Sequence, residues 1–278
     1  MISVATILAC IFSLILSLIL PAVILIVFAA KNKKNGILSA WLLGAAGFVV
    51  TQLLIRVPIL AFLQGQSWFM TFAQNHLFLY AFSLAFTAGL FELAGRFAVA
   101  KLMHKNLTYK RSLAAGLGHG GIEAMVLIGM TYISNLALIF MINSGYFDIM
   151  LSQMAGDAAM ISHLELIRSQ LISYSPAIFL LGGFERILAM ICHAAMSILV
   201  CYGVSHKRTL SCTLICLGIH TLIDLTAGIS LLAGSVLSQT IAYTIIYIIL
   251  TAAAVVSLLI LKSIHSLWQS EPHKEVIL

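Results

Sequence analysis

An all-α bundle crossing a membrane about seven times is the fold class this chain predicts, and three observations carry the expectation. The 278 residues are 62% hydrophobic and only 9% charged, where a soluble domain carries roughly 25% charge. Several apolar runs exceed the roughly 20 residues that span a bilayer as a helix. Those runs are continuous rather than alternating, which excludes a membrane β-barrel.

Spans are expected at about 4–30, 37–60, 76–100, 112–141, 178–204, 209–233 and 237–262 of a single membrane domain covering 1–278. The first run lacks a basic leader and is too long for a typical signal peptide, so it reads as a retained span. Lys31, Lys33 and Lys34 follow it; Lys101, Lys105, Lys110 and Arg111 separate spans three and four. Lys207 and Arg208 separate five and six, and the tail holds Lys262 and Lys274. The loops of the opposite side hold Arg168 alone. Basic loops face the cytoplasm, so the N-terminus is expected outside and the C-terminus in the cytoplasm of a bacterial plasma membrane. The same distribution accounts for the net charge of +6 without any nucleic-acid partner.

The one long connection, 142–177, carries Asp148, Asp157 and Glu165, too many charges for an eighth span. Ile161, Leu164, Ile167 and Leu171 recur at helical spacing, which predicts an interfacial amphipathic helix. Cys10, Cys192, Cys201, Cys212 and Cys216 lie in apolar runs and read as small hydrophobes, not a disulfide framework.

The chemistry lies in polar groups left inside the spans. Gly116-Leu117-Gly118-His119-Gly120-Gly121-Ile122-Glu123 sets His119 and Glu123 four residues apart on one helical face. Its glycines permit another helix to approach closely. Glu92 and Arg96 form a second i, i+4 pair, and His220 and Asp224 a third, in which the carboxylate can orient the imidazole. Arg186 and His193 stand two turns apart, with Glu185 beside Arg186. Arg56, near the end of span two, is expected to snorkel to the interface. A rise of ~1.5 Å per residue from the cytoplasmic ends places Glu92, Glu123, His193 and His220 about 13–17 Å deep, His119 about 10 Å and Asp224 about 22 Å. Single buried histidines are commonly structural. Three histidines and at least two carboxylates inside one bundle are costly for stability alone, so a functional centre is expected.

Peptide-bond hydrolysis fits these groups. A carboxylate in an apolar setting serves as general base on water, and Glu123 is the first candidate for that role, with Glu92 the second. His193 and His220 suit oxyanion stabilisation. Arg96, His119, Glu185, Arg186 and Asp224 are expected to support the site. No metal is favoured; a zinc site is the rival, with His119, His193 and His220 as its ligands. A proton-coupled transporter is a further alternative, weakened by the odd span number and the missing inverted repeat. A non-catalytic scaffold is the blandest reading.

The blocks Phe91-Glu92-Leu93-Ala94-Gly95-Arg96, Gly118-His119-Gly120-Gly121-Ile122-Glu123, Phe184-Glu185-Arg186 with His193, and His220-Thr221-Leu222-Ile223-Asp224 resemble the YhfC family of bacterial membrane peptidases. The resemblance covers nearly the whole chain in four ordered blocks. It implies a likeness to the CAAX-processing and PrsW-type glutamic intramembrane proteases, whose motifs run glutamate, then histidine, then His-x-x-x-Asn/Asp. Glu123, His193 and His220 with Asp224 fall in that order. The paired-glutamate form of the first motif is absent, so either Glu92 with Arg96 or Glu123 fills it. The expected partners are a membrane-embedded or juxtamembrane peptide substrate and the lipid bilayer.

Overall fold

The computed structural model describes residues 1–33, 36–154, 156–231 and 238–270. Lys34, Lys274, the tail after 270, and the expected span ends at 232–233 and 237 lie outside the described residues. Among the described residues the regular elements are helical, and seven helices are long and apolar enough to cross a membrane. They are α1 (Val4–Lys31), α2 (Ile37–Gln64), α4 (Leu77–Leu102), α5 (Tyr109–Ser144), α8 (Pro176–Ser205), α9 (Thr209–Ser230) and α10 (Gln239–Ser270). Shorter helices are α3 (Ser67–Asn75), α6 (Tyr146–Gln153) and α7 (Ala158–Ser173).

Two prolines sit inside spans, Pro21 in α1 and Pro58 in α2. Proline lacks an N–H and crowds the carbonyl four residues back. In both spans the helix widens into a π-helical stretch just before the proline, at Ile15–Ile19 and at Val49–Arg56. Such wide turns absorb the mismatch without ending the helix, and they recur at functional sites.

The chain forms two compact units, Met1–Val23 with Glu123–Ile187, and Ile24–Ile122 with Leu188–Leu278. In the first, Ala9, Cys10, Tyr132, Ile139, Leu171 and Phe179 make the core. Ser13 Oγ and Tyr132 OH both donate to the Phe179 carbonyl at 2.6 Å, which satisfies these buried hydroxyls. Helix α7 is capped by Asp157, whose carboxylate accepts from the Met160 amide at 3.0 Å. Its apolar stripe turns Leu171 and Ile167 onto the unit's core, the packing face that the spacing at 161–171 predicts.

The second unit is built around the end of α8, where residues 192–203 are buried without interruption. A helix apolar on every side belongs at a bundle centre. The glycines of α5 set how closely its neighbours approach. A Cβ at Gly120 would stand 2.8 Å from the Cβ of His193 on α8. A Cβ at Gly118 would run into the Trp41 carbonyl of α2. Large apolar side chains such as Leu54, Leu210 and Leu259 face outward, as lipid-facing residues do in a spanning bundle. All five cysteines are free and buried.

Candidate active site

Four helices of the second unit each bring one polar group to a common depth. Glu92 on α4, His119 on α5, His193 on α8 and His220 on α9 lie about 15, 15, 18 and 16 Å in from Leu102, Tyr109, Ser205 and Thr209, at ~1.5 Å per residue. His119 is deeper than its sequence position implies because α5 begins at Tyr109, not at 112. It therefore joins the layer.

All of these groups are removed from solvent and lipid: Glu92 is 4% exposed, Arg96 2%, His119 1%, His193 6% and His220 3%. Glu92 Oε2 is their hub. His220 Nε2 lies 2.7 Å from it and His119 Nε2 2.9 Å. Arg96 Nη2 donates to the same oxygen at 3.0 Å. His193 Nδ1 stands 3.7 Å from it and 2.6 Å from Arg96 Nη2. A guanidinium only donates, so His193 Nδ1 accepts from Arg96. The His119 and His193 rings stack with centroids 5.3 Å apart, and His193 meets His220 edge-on at 5.7 Å. Asp224 Oδ2 lies 3.4 Å from His220 Nδ1, on the ring edge away from Glu92. One carboxylate thus faces one fixed cation and three imidazoles, the pairing a buried charge requires.

The other Glu92 oxygen is engaged as well. Gln52 Nε2 donates to Glu92 Oε1 at 2.7 Å, from the π-helical stretch of α2. Arg56 Nη1 donates to Gln52 Oε1 at 3.3 Å, and its Nη2 to the Leu84 carbonyl at 2.7 Å. Sequence reasoning missed Gln52 because a neutral amide passes a search for charges. Its spacing of four from Arg56 on one span is the signal that was available. Arg56, expected to snorkel, instead bonds inward to Gln52 and to the backbone of α4.

In the first unit, Arg186 Nη1 donates to Glu123 Oε1 at 3.3 Å and Arg186 Nη2 bonds Glu185. Glu123 stands one turn beyond His119 on α5.

A family model described as YhfC intramembrane metalloprotease matches residues 16–255. The chain belongs to the YhfC intramembrane metalloprotease family. It is also 31% identical over 196 residues to the Bacillus subtilis (strain 168) protein named "Uncharacterized membrane protein YhfC", covering 70% of this chain and 74% of the relative. No solved structure matches the chain. The chain is accordingly a multi-pass membrane protein of an intramembrane protease family. The family description supports the peptidase expectation in general. It gives no support to the glutamic subtype favoured by the sequence, and the zinc alternative lies closer to it.

Proposed function

We propose that this protein hydrolyses a peptide bond of a membrane-embedded or juxtamembrane substrate, using a metal ion of the zinc type held at Glu92. The single observation carrying this reading is the convergence of imidazole nitrogens on Glu92 Oε2. Imidazole and carboxylate are the ligand types of catalytic zinc sites, where two histidines and one glutamate are a recurrent set. The residues present fit that group. The donor atoms of Glu92, His119 and His193 all lie within 4.8 Å of one another. The imidazole nitrogens of His220 and His119 lie 2.7 and 2.9 Å from Glu92 Oε2, so the three donor atoms already face one another. His193 Nδ1 is engaged by Arg96, so Glu92, His119 and His220 are the residues that would hold the ion. Bound there, it would acidify a water and polarise the scissile carbonyl.

The remaining roles belong to the chain's own side chains. Asp224, at 3.4 Å from His220 Nδ1, fixes that ring's tautomer and orientation, as carboxylates behind ligating histidines do. Arg96, anchored by His193, holds positive charge beside Glu92 and suits stabilisation of an oxyanion. Glu123, the first general-base candidate of the sequence, belongs to the other unit with Arg186 and Glu185 and is given no step at Glu92. The apolar bundle excludes competing water.

A second reading is metal-free, with Glu92 itself as base and histidines as oxyanion donors. One observation favours it: the guanidinium of Arg96 already supplies a cation between Glu92 Oε2 and His193 Nδ1.

The test compares membrane-protein fragments by quantitative proteomics in cells expressing wild type, Glu92→Gln or Glu123→Gln at equal levels, with zinc analysis of each purified protein. Fragments confined to wild type establish the peptidase. About one zinc per chain, lost in Glu92→Gln, assigns the ligand; lost cleavage with zinc kept in Glu123→Gln tests the base that the sequence suggested. Cleavage by zinc-free wild type overturns the metal mechanism. Identical fragments in all three strains overturn the peptidase itself.

A further inference from the structure

Gln52 and Arg56 stand outside the cluster just described, yet they bond to its central carboxylate in series. A carboxylate only accepts hydrogen bonds, an arginine only donates them, and a primary amide does both from opposite ends. Arg56 Nη1 can reach only the carbonyl oxygen of Gln52, at 3.3 Å. That leaves the amide NH2 directed at Glu92 Oε1, at 2.7 Å, with its other bond to the Ala88 carbonyl at 3.3 Å. The amide has one permitted orientation. Gln52 is 5% exposed, so no solvent competes for these bonds. Arg56 is itself held by the Leu84 carbonyl at 2.7 Å. Both side chains project from the π-helical stretch Val49–Arg56, the only one of α2.

We infer that Gln52 and Arg56 are positioning residues for Glu92: they occupy Oε1 and thereby present Oε2 alone, in one orientation, to His119, His193 and His220. The consequence is a monodentate carboxylate. Without the amide, Glu92 is free to turn about its terminal bond, and either oxygen reaches the imidazoles. The inference rests on the reading of Glu92 as the centre of the site, and it extends that reading to two residues on a fifth helix face. Partners that orient a ligating side chain in this way typically contribute a factor of roughly 10 to 100 in metal affinity or activity.

The experiment uses the full chain in lipid nanodiscs, with histidine labelled by nitrogen-15. Zinc affinity is measured by competition with a chromophoric chelator, and the imidazole nitrogens are followed by NMR with and without zinc. Gln52→Leu, similar in volume but without the amide, is expected to bind zinc roughly 10- to 100-fold more weakly and to shift the imidazole signals. Arg56→Met is expected to act in the same direction because the amide loses its orienting donor. Gln52→Asn keeps the amide and shortens its reach, so it tests the idea should the leucine variant fail to fold. Wild-type zinc affinity and wild-type imidazole signals in folded Gln52 variants overturn the inference. Wild-type signals indifferent to zinc overturn the metal reading alone; a shift caused by Gln52→Leu without zinc would still support the positioning role.

Discussion

Glu92 survives in the interior because both of its oxygens have partners, and removing any one partner exposes how much it contributed. Arg96 is the clearest case, since at 2% exposure its guanidinium is a permanent positive charge bonded to that carboxylate. Truncating one member of a buried pair leaves the other charge uncompensated, typically at about 3–5 kcal/mol. Arg96→Met should therefore destabilise the protein by about that much, read by chemical unfolding in detergent. The double variant Glu92→Gln, Arg96→Met should lose less than the sum of the two single changes, because the groups share one network. Additive losses would mean that the contacts at Glu92 Oε2 carry no energy. At this scale the sequence was informative about residue type and silent about pairing. Glu92 and Arg96 announce themselves as an i, i+4 pair. The meeting of His119, His193 and His220 on one oxygen depends on three other helices.

The elements that matter most are α5 and the end of α8, and the reason is small side chains. Gly120 lets the α8 backbone carry His193 inward, and Gly118 lets α2 approach from another side. Gly120→Ala would set a Cβ 2.8 Å from His193 Cβ. Overpacking of this kind costs about 1–3 kcal/mol, and the displaced ring should lower cleavage by roughly 10- to 100-fold, as misplacement near 1 Å does. Gly118→Ala meets backbone rather than a side chain, so it should lower thermal stability more than Gly120→Ala does. Gly218→Ala is the matched control, with no heavy atom within 4 Å of the new Cβ, and should leave the melting temperature unchanged. Equal effects at all three positions would refute the close-approach argument. The sequence marks Gly116–Gly121 as a stripe of close helix contact; which glycine meets which helix is a tertiary fact.

For the whole molecule, orientation in the membrane follows from charge placement, since lysine and arginine resist translocation. The expected arrangement has the N-terminus outside and the loops at 101–111 and 207–208 in the cytoplasm. Alkaline phosphatase fused at the 145–175 connection should be active, and a fluorescent protein fused at the C-terminus should fluoresce. The opposite pattern would invert the assignment. Seven spans put the two termini on opposite sides of the membrane, and the fusions tell which side is which.

By itself the sequence determined the class of the molecule, its seven crossings and the residue types of its chemistry. Hydropathy and charge are local properties, and a bilayer enforces them segment by segment. The family likeness was legible for a related reason: its four blocks sit on single helices, where spacing is fixed by 3.6 residues per turn. What only the tertiary structure decided is which groups meet Glu92. The sequence offered Glu123 first and Glu92 second as the base, and it could not show that α5, α8 and α9 each bring an imidazole to Glu92. Gln52 belongs to the same category. A neutral amide carries no signature in composition, and its role exists only because the wide turn before Pro58 carries it against Glu92.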